Sequence, residues 1–460
     1  MSQSAFSSLK LDSALLKNLA SLGYKAMTPI QAQSLPHILD GKDVIAQAKT
    51  GSGKTAAFGL GLLEKLDVKR FRIQSLILCP TRELADQVAK EIRKLGRSIH
   101  NIKVLTLCGG MPFGPQIGSL EHGAHIIVGT PGRVEDHLRR GALKLNDVDM
   151  LVLDEADRML EMGFQTTLDA IVEKIPDQRQ TLLFSATFPD KIQSIAKRIM
   201  QAPVMVKVAD THDGGSIEQH LYEVQDDQDR LTAVRLLLLH FRPASAVVFC
   251  NTKKETQEVA DELCRYGFSA FALHGDLEQR DRDQTLARFA NKSASVLVGT
   301  DVAARGLDID ALDLVINYHL AYDAEVHVHR IGRTGRAGNK GVACTLYSDR
   351  ESYKIAQLEE YIGHRLNTEL LPPAHLLSEP VYKPTMVSLL IDGGKKQKVR
   401  PGDILGALTG QNGIDGKQVG KIQIFDNRAY VAVSCEAASL ALKKLTDGKL
   451  KGRSFRVRRM

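Results

Sequence analysis

Cysteine is scarce and scattered in this 460-residue chain: six residues, Cys79, Cys108, Cys250, Cys264, Cys344 and Cys435, with no CxxC pair among them. That spacing argues against a structural zinc and a disulfide framework, and it fits a reducing compartment. Long apolar runs are missing too. Nothing approaches the roughly 20 residues of a membrane span, and the opening MSQSAFSSLKLDSALLKNL has no sustained apolar core of the kind a secretory signal needs. These absences predict a cytoplasmic protein that engages no membrane. Strong charge of one sign is absent from most of the chain as well. Residues 381–460 carry 16 Lys and Arg against 6 Asp and Glu, a local +10 that exceeds the whole chain's +7 and leaves residues 1–380 at −3. All the excess positive charge therefore lies at one end, which suggests either a polyanion-binding appendage or a solubilising tail. The periodic apolar residues of that segment favour the appendage.

What the chain does have is 43% hydrophobic and 25% charged residues, enough to bury real cores. Its length predicts about three domains. Short apolar runs alternate with amphipathic stretches: SLILCP, HIIVGT, MLVLDEAD and TLLFSAT read as buried parallel strands, with helices such as RELADQVAKEIRKLG between them. This βαβ rhythm implies a doubly wound α/β sheet over residues 1–208. ADTHDGGSIEQ (209–219) breaks it and looks like a mobile linker. AVVFCN, SVLVGT, DLVINY and GVACTLY restart it over 218–365, with Thr252 and Glu255 spelling a capping box. LNTELLPPAHLLSEPVYKPT (366–385), with four prolines, reads as a connector. The last segment, 384–460, reads strand, helix, strand, strand, helix, strand: a small α+β βαββαβ sandwich resembling an RNA-recognition motif (RRM).

AQAKTGSGKT (46–55) lies at a strand–loop–helix junction. Such a loop offers backbone N–H groups to phosphates, the lysine Lys54 to the β- and γ-phosphates, and the hydroxyl of Thr55 to Mg²⁺. The usual first glycine is replaced by Ala48. About 100 residues on, at the end of an apolar strand, Asp154 is placed to hold Mg²⁺ and Glu155 to orient or deprotonate the attacking water. An imperfect loop or an acidic strand end alone is often an ordinary turn; together they point to ATP chemistry.

Asp154-Glu155-Ala156-Asp157 spells the DEAD box, and the flanking motifs of residues 6–345 resemble those of the DEAD-box RNA helicases in order and spacing. In that family Ala48 is the usual form of the loop. The resemblance implies two tandem RecA-like domains and ATP with Mg²⁺ as substrate and cofactor. Thr50, Gly51, Ser52 and Gly53 would cradle the phosphates. Within GYKAMTPIQ, Gln31 would hydrogen-bond adenine and Tyr24 stack on it, with Phe6 at the upstream aromatic position. Ser185 and Thr187 of SAT would couple hydrolysis to strand separation. Arg333 and Arg336 of HRIGRTGRAG resemble arginine fingers reaching across from the second α/β unit, a contribution worth about 10³–10⁵ in rate, and Asp308 matches the residue near the ribose. PTRELA, Gly109-Gly110, TPGR, GTD and Gln279 with Arg282 are similar to the family's RNA-contacting motifs. These assign Arg82, Gly110, Thr130, Arg133, Arg282 and Thr300 to a phosphate- and 2′-hydroxyl-binding track that carries no base information.

Residues 384–460, and the ending GKLKGRSFRVR in particular, resemble the C-terminal domain of the bacterial DEAD-box protein A subfamily. That likeness implies a structured large-subunit (23S) ribosomal RNA hairpin as target, near the peptidyl-transferase centre, and pre-ribosomal particles as partners; a monomer is expected. FDNRAYVAVSC (425–435) alternates like a half-buried strand. Read as the third strand of an RRM, it places Tyr430 at a position usually buried or edge-on and Ala432 where a stacking aromatic belongs, and TMVSLLI offers no aromatic either. Packing is therefore the better reading of Tyr430. The RNA grip then falls to basic segments holding Lys395, Lys396, Lys398, Arg400, Lys451 and Arg453. Competing readings are a general helicase of messenger RNA turnover or cold adaptation, and an ATP-dependent RNA clamp that hydrolyses little.

Overall fold

A computed structural model of the chain describes residues 5–48, 51–208, 217–301, 312–335 and 341–460. The first sheet holds β1 (Val44–Gln47), β2 (Ser75–Leu78), β3 (Val104–Leu107), β4 (Ile126–Gly129), β5 (Met150–Asp154), β6 (Gln180–Ser185) and β7 (Val204–Lys207). All pairings are parallel, in the order β3-β4-β2-β5-β6-β1-β7. The apolar runs are continuous because both faces are covered. Ile77, Val128, Val152 and Leu182 enter one core, while Leu76, Ile127, Leu151 and Leu183 enter the other, as alternation along each strand requires. The helix Arg82–Leu95 starts at Thr81, whose hydroxyl accepts from the Leu84 N–H at 3.3 Å. It buries Leu84, Val88, Ile92 and Leu95 at helical spacing.

The second sheet repeats this plan with β8 (Ile217–Glu223), β9 (Ala246–Cys250), β10 (Ala270–Leu273), β11 (Val296–Thr300), β12 (Leu314–Asn317), β13 (Gly341–Tyr347) and β14 (Thr368–Glu369), in the parallel order β10-β11-β9-β12-β13-β8-β14. The Thr252 hydroxyl caps the helix Lys253–Arg265 as expected, accepting from Glu255 N–H at 3.2 Å. Glu255 does not complete the box. Its carboxylate takes the Asn251 N–H at 3.1 Å and His319 Nε2 at 2.5 Å, a stronger partner in a half-buried site.

The C-terminal sheet is antiparallel: β15 (Met386–Ile391), β16 (Val419–Ile424), β17 (Ala429–Ser434) and β18 (Val457–Arg459), in the order β16-β17-β15-β18. The helices Pro401–Thr409 and Ala438–Asp447 cover one face through Ile404, Leu408, Ala441 and Leu445. The βαββαβ order is as read from the sequence, but the last strand is shorter than GRSFRVR suggested.

The proline-rich stretch before it is no loose spacer. Its Thr368–Glu369 pairs with β8, Leu371, Leu376, Leu377, Val381 and Tyr382 pack on the second sheet's core, and Lys383 Nζ donates to the Gly267 carbonyl at 2.5 Å. The chain accordingly forms two compact units, one built on the first sheet and the other on the second and third. Among the described residues no helix is long and apolar enough to cross a membrane.

Candidate active site and nucleic-acid interface

The loop after β1 turns through left-handed glycines, Gly51 at φ 84° and Gly53 at φ 93°. A Cβ on Gly53 would sit 2.5 Å from Gln31 Nε2, so only glycine fits. Gln31 is buried; its Oε1 accepts from the Thr28 N–H at 2.9 Å and its Nε2 donates to the Gly53 carbonyl at 3.0 Å. The glutamine expected to read adenine is thus bonded through both amide atoms within the protein, one of them to the glycine loop after β1. Lys54 is buried at the start of the helix Lys54–Lys65 and rests its Nζ on the Ala48 carbonyl at 2.9 Å. Thr50 lies outside the described residues. Tyr24 meets Phe6 edge-on at 6.1 Å and donates its hydroxyl to Glu91 at 2.5 Å, while Phe6 is itself buried in the first core.

β5 delivers Asp154 to the sheet's carboxyl end, where it is 3% exposed. Burial pushes its carboxyl up to about 7, against the pull of the Lys54 charge. Its Oδ1 is buried with no hydrogen-bond partner among the described residues. A buried acceptor of that kind suits a divalent cation, so Asp154 fits the Mg²⁺ role. Glu155 stands at φ 53°, ψ 54°, a left-handed conformation costly for a side-chain-bearing residue. The last DEAD residue, Asp157, was not among the predicted site residues, yet it organises the coupling motif. Its Oδ2 accepts from Ala186 N–H (3.1 Å), Thr187 N–H (3.0 Å) and Thr187 Oγ1 (3.1 Å), and its own N–H reaches Ser185 Oγ at 3.3 Å. The signal was there in the sequence: a third acid at the same strand end.

Three of the predicted RNA-contacting segments follow neighbouring strands β2, β3 and β4. Arg82 lies against the Gly109-Gly110 turn so closely that a Cβ on Gly110 would fall 2.0 Å from its Nη1. Thr130 begins the helix Pro131–Arg139, and Arg133 Nη1 donates to the Met111 carbonyl at 2.9 Å and to Gln116 Oε1 at 3.0 Å. In the second unit Thr300 ends β11, and the next residue, Asp301, is gripped by Arg330 through two bonds of 2.7 Å. Arg330 is fully buried and also reaches Asn251 Oδ1 (2.8 Å) and the His319 carbonyl (2.9 Å). It was absent from the predicted set, although it stands inside HRIGRTGR. Arg282 Nη1 donates to the His274 carbonyl at 3.1 Å. Arg333 is buried one turn on; Arg336 and Asp308 lie outside the described residues.

In the C-terminal domain the FDNRAYVAVSC strand corrects the half-buried expectation: β17 is buried on both faces except at its last residue. Ala429, Val431 and Val433 face the two helices. Tyr430 and Leu390 pack on Ala287 of the helix Gln279–Ala290, and Ser388, which pairs with Ala432, bonds to Asn291 Nδ2 at 2.6 Å and Ser293 Oγ at 2.7 Å. The face on which an RRM stacks bases is therefore closed by the second α/β body. The basic segments are elsewhere and converge. Lys395 and Lys396 N–H groups donate to the Phe425 and Asp426 carbonyls at 2.9 Å each, and Lys451 Nζ donates to the Lys398 carbonyl at 3.0 Å. Lys395, Lys396, Lys398, Arg400, Lys451 and Arg453 are all exposed.

Family comparison agrees with this geometry. Residues 28–195 match the DEAD/DEAH box helicase family, 229–338 the helicase conserved C-terminal domain, and 388–459 the DbpA RNA binding domain. The chain is 55% identical over 455 residues to the ATP-dependent RNA helicase DbpA of Escherichia coli (strain K12), covering 99% of both. This chain belongs to the DbpA-like DEAD-box ATP-dependent RNA helicases. It is also similar to the DbpA of Bacillus subtilis (strain 168), 36% identical across 99% of each chain. The DEAD-box helicase CshA of Bacillus cereus (strain ATCC 10987 / NRS 248) is 46% identical over 79% of this chain and 69% of its own length. Among solved structures, S. cerevisiae Dbp5 bound to RNA and ADP BeF3 matches at 31% identity and a TM-score of 0.73, over 80% of this chain and 96% of that one. The matches to CshA and Dbp5 cover about four fifths of this chain, while the DbpA RNA binding domain takes up residues 388–459.

Proposed function

We propose that this DbpA-like helicase remodels a structured large-subunit (23S) ribosomal RNA in the cytoplasm during subunit assembly, delivered by its C-terminal domain and acting as a monomer on pre-ribosomal particles. The observation that carries this reading is the closed sheet face beside an exposed basic edge. A domain that cannot stack single-stranded bases on its sheet, yet gathers Lys395, Lys396, Lys398, Arg400, Lys451 and Arg453, is suited to the closely spaced phosphates of a folded hairpin. In the motor, Gln31, Gly51, Ser52, Gly53 and Lys54 hold ATP, with Phe6, Tyr24, Thr50 and Asp308 in the supporting roles that the family assigns. Mg²⁺ held by Thr55 and Asp154 would neutralise phosphate charge. Glu155 orients or deprotonates the attacking water, and Arg333 and Arg336 stabilise charge on the transferred phosphoryl group. Asp157 ties the end of β5 to Ser185 and Thr187, which passes the state of the catalytic strand to the coupling motif. Arg82, Gly110, Thr130, Arg133, Thr300 and Arg282 grip the RNA backbone.

The test is RNA-stimulated ATP hydrolysis by the full chain. Fragments of large-subunit ribosomal RNA should stimulate far better than homopolymers, and Lys395→Ala/Lys396→Ala/Lys398→Ala should erase most of that preference while leaving homopolymer stimulation in place. Lys54→Ala should cost about 10²–10³ in turnover, as for loss of one preorganised donor to a developing charge. Equal stimulation by all RNAs would favour a general helicase; turnover untouched by Lys54→Ala would leave only a clamp.

A further inference from the structure

The side chain of Gln116 lies buried behind the first unit's RNA track, in a position where every hydrogen-bonding group has a single possible role. Its Nε2 donates to the Cys108 carbonyl at 3.0 Å, directly before the Gly109-Gly110 turn. A carbonyl only accepts, so the amide orientation is fixed. Oε1 must then accept, and it does so twice, from Arg133 Nη1 at 3.0 Å and from His137 Nε2 at 2.8 Å. His137 therefore carries its proton on Nε2. Its other nitrogen, Nδ1, is buried with no hydrogen-bond partner among the described residues, so a second proton there would have nowhere to bond. Burial and the neighbouring Arg133 charge both hold the ring below its usual value, in agreement with a neutral imidazole. The ring of Phe113 stacks on His137 at 4.0 Å with 13° between planes, and the Arg140 guanidinium lies 4.4 Å from the same ring. The imidazole is held in place, the amide is held by the imidazole and the backbone, and Arg133 is held by the amide.

We propose that Gln116 is a positioning residue for RNA binding: backed by His137 and Phe113, it fixes the Arg133 guanidinium and the Gly109-Gly110 turn in one preorganised phosphate-binding arrangement. The proposal rests on the reading of Arg133 as an RNA contact. A long arginine left free would lose rotamer freedom on every encounter; one already bonded to Met111 O and Gln116 Oε1 does not. Glutamine is required because leucine offers no bond and glutamate cannot donate to Cys108.

The experiment measures KM for RNA and kcat of RNA-stimulated ATP hydrolysis in the full chain for Gln116→Leu, Gln116→Glu, Arg133→Ala and Gln116→Leu/Arg133→Ala, with RNA-free ATP affinity as the folding control. Gln116→Leu should raise KM about tenfold, the loss expected of a buried bond to a charged group, with kcat at saturating RNA and ATP affinity kept. Gln116→Glu, which keeps an oxygen to accept from Arg133 and His137, should recover part of that loss and stands in should Gln116→Leu fail to fold. The double variant should be no worse than Arg133→Ala. Additive losses, or a change in kcat alone, would overturn the positioning role while leaving Arg133 an RNA contact. An unchanged KM in Arg133→Ala would overturn both.

Discussion

In the first unit, the positive charge proposed to meet RNA is placed by buried chemistry: Arg82 lies on a glycine turn, and Arg133 hangs from an amide fixed by a carbonyl and a neutral imidazole. In the C-terminal domain, Lys395, Lys396 and Lys398 are exposed, and the fold holds their backbone, Lys395 and Lys396 through the Phe425 and Asp426 carbonyls and Lys398 through the Lys395 carbonyl. The first arrangement suits a motor that must hold any RNA in one geometry while it works. The second suits recognition by charge pattern, in which long solvated side chains adapt to a folded target. A helicase with one chemical task and one address can divide these two demands between a rigid track and a yielding edge.

The largest effect that would test this division concerns what lies behind the edge. Tyr430→Ala removes a buried ring from the contact with Leu390 and Ala287, and denaturant unfolding should register about 3 kcal/mol. Hairpin affinity should fall less than in the triple lysine variant; a large affinity loss with no stability change would make Tyr430 a reader after all. Acid comes next, and it should act on the motor. Burial, then the neighbouring Arg330 charge, push His327 down to about 3 from an ordinary 6.5. The unfolded chain takes up a proton below about 6.5 that the folded chain refuses, so this stability is complete above that pH and is lost as pH falls toward 3. From pH 6.5 to 5 the cost is about 2 kcal/mol, readable as a falling melting temperature, and His137 adds in the same direction. His327→Phe should flatten the decline. Salt should act on the edge. Replacing Lys395, Lys396 and Lys398 by alanine should weaken hairpin binding by about tenfold and make its salt dependence shallower by about 2 in log–log slope. If acid and salt struck both regions alike, the distinction would fail.

Much of the motor could be read directly. GSGKT, VLDEAD and SAT are local: each sits on one strand end, and its chemistry follows from adjacent residues. The central strands were equally plain, because a parallel strand buried on both faces is apolar throughout. β3, β7, β10 and β14 were passed over because each spans four residues or fewer and lies at a sheet edge, and β8 because IEQHLYE is mostly polar and its Ile217–Gln219 reads as the end of the linker. Long-range pairing hid the rest. Gln116 meets His137 from 21 residues away, and Arg330 finds Asp301 across 29. The alternation of FDNRAYVAVSC marked it as a strand, and Tyr430 packs as that reading had it. That the outer face is covered depends on Ala287, Asn291 and Ser293, some 140 residues earlier, which no local period can encode.

The strapped proline-rich segment changes what the C-terminal domain is. A free tether of that length would let its cargo wander over a radius of about 25 Å, so RNA caught by the domain would reach the motor by chance encounter. With Leu376, Leu377 and Tyr382 seated in the second core and Lys383 pinned to Gly267, the lysine edge keeps a fixed bearing on the second α/β body. On the proposed function the domain would then serve as a jig, presenting a hairpin at one angle and leaving reach, rather than search, to decide which neighbouring duplex is opened.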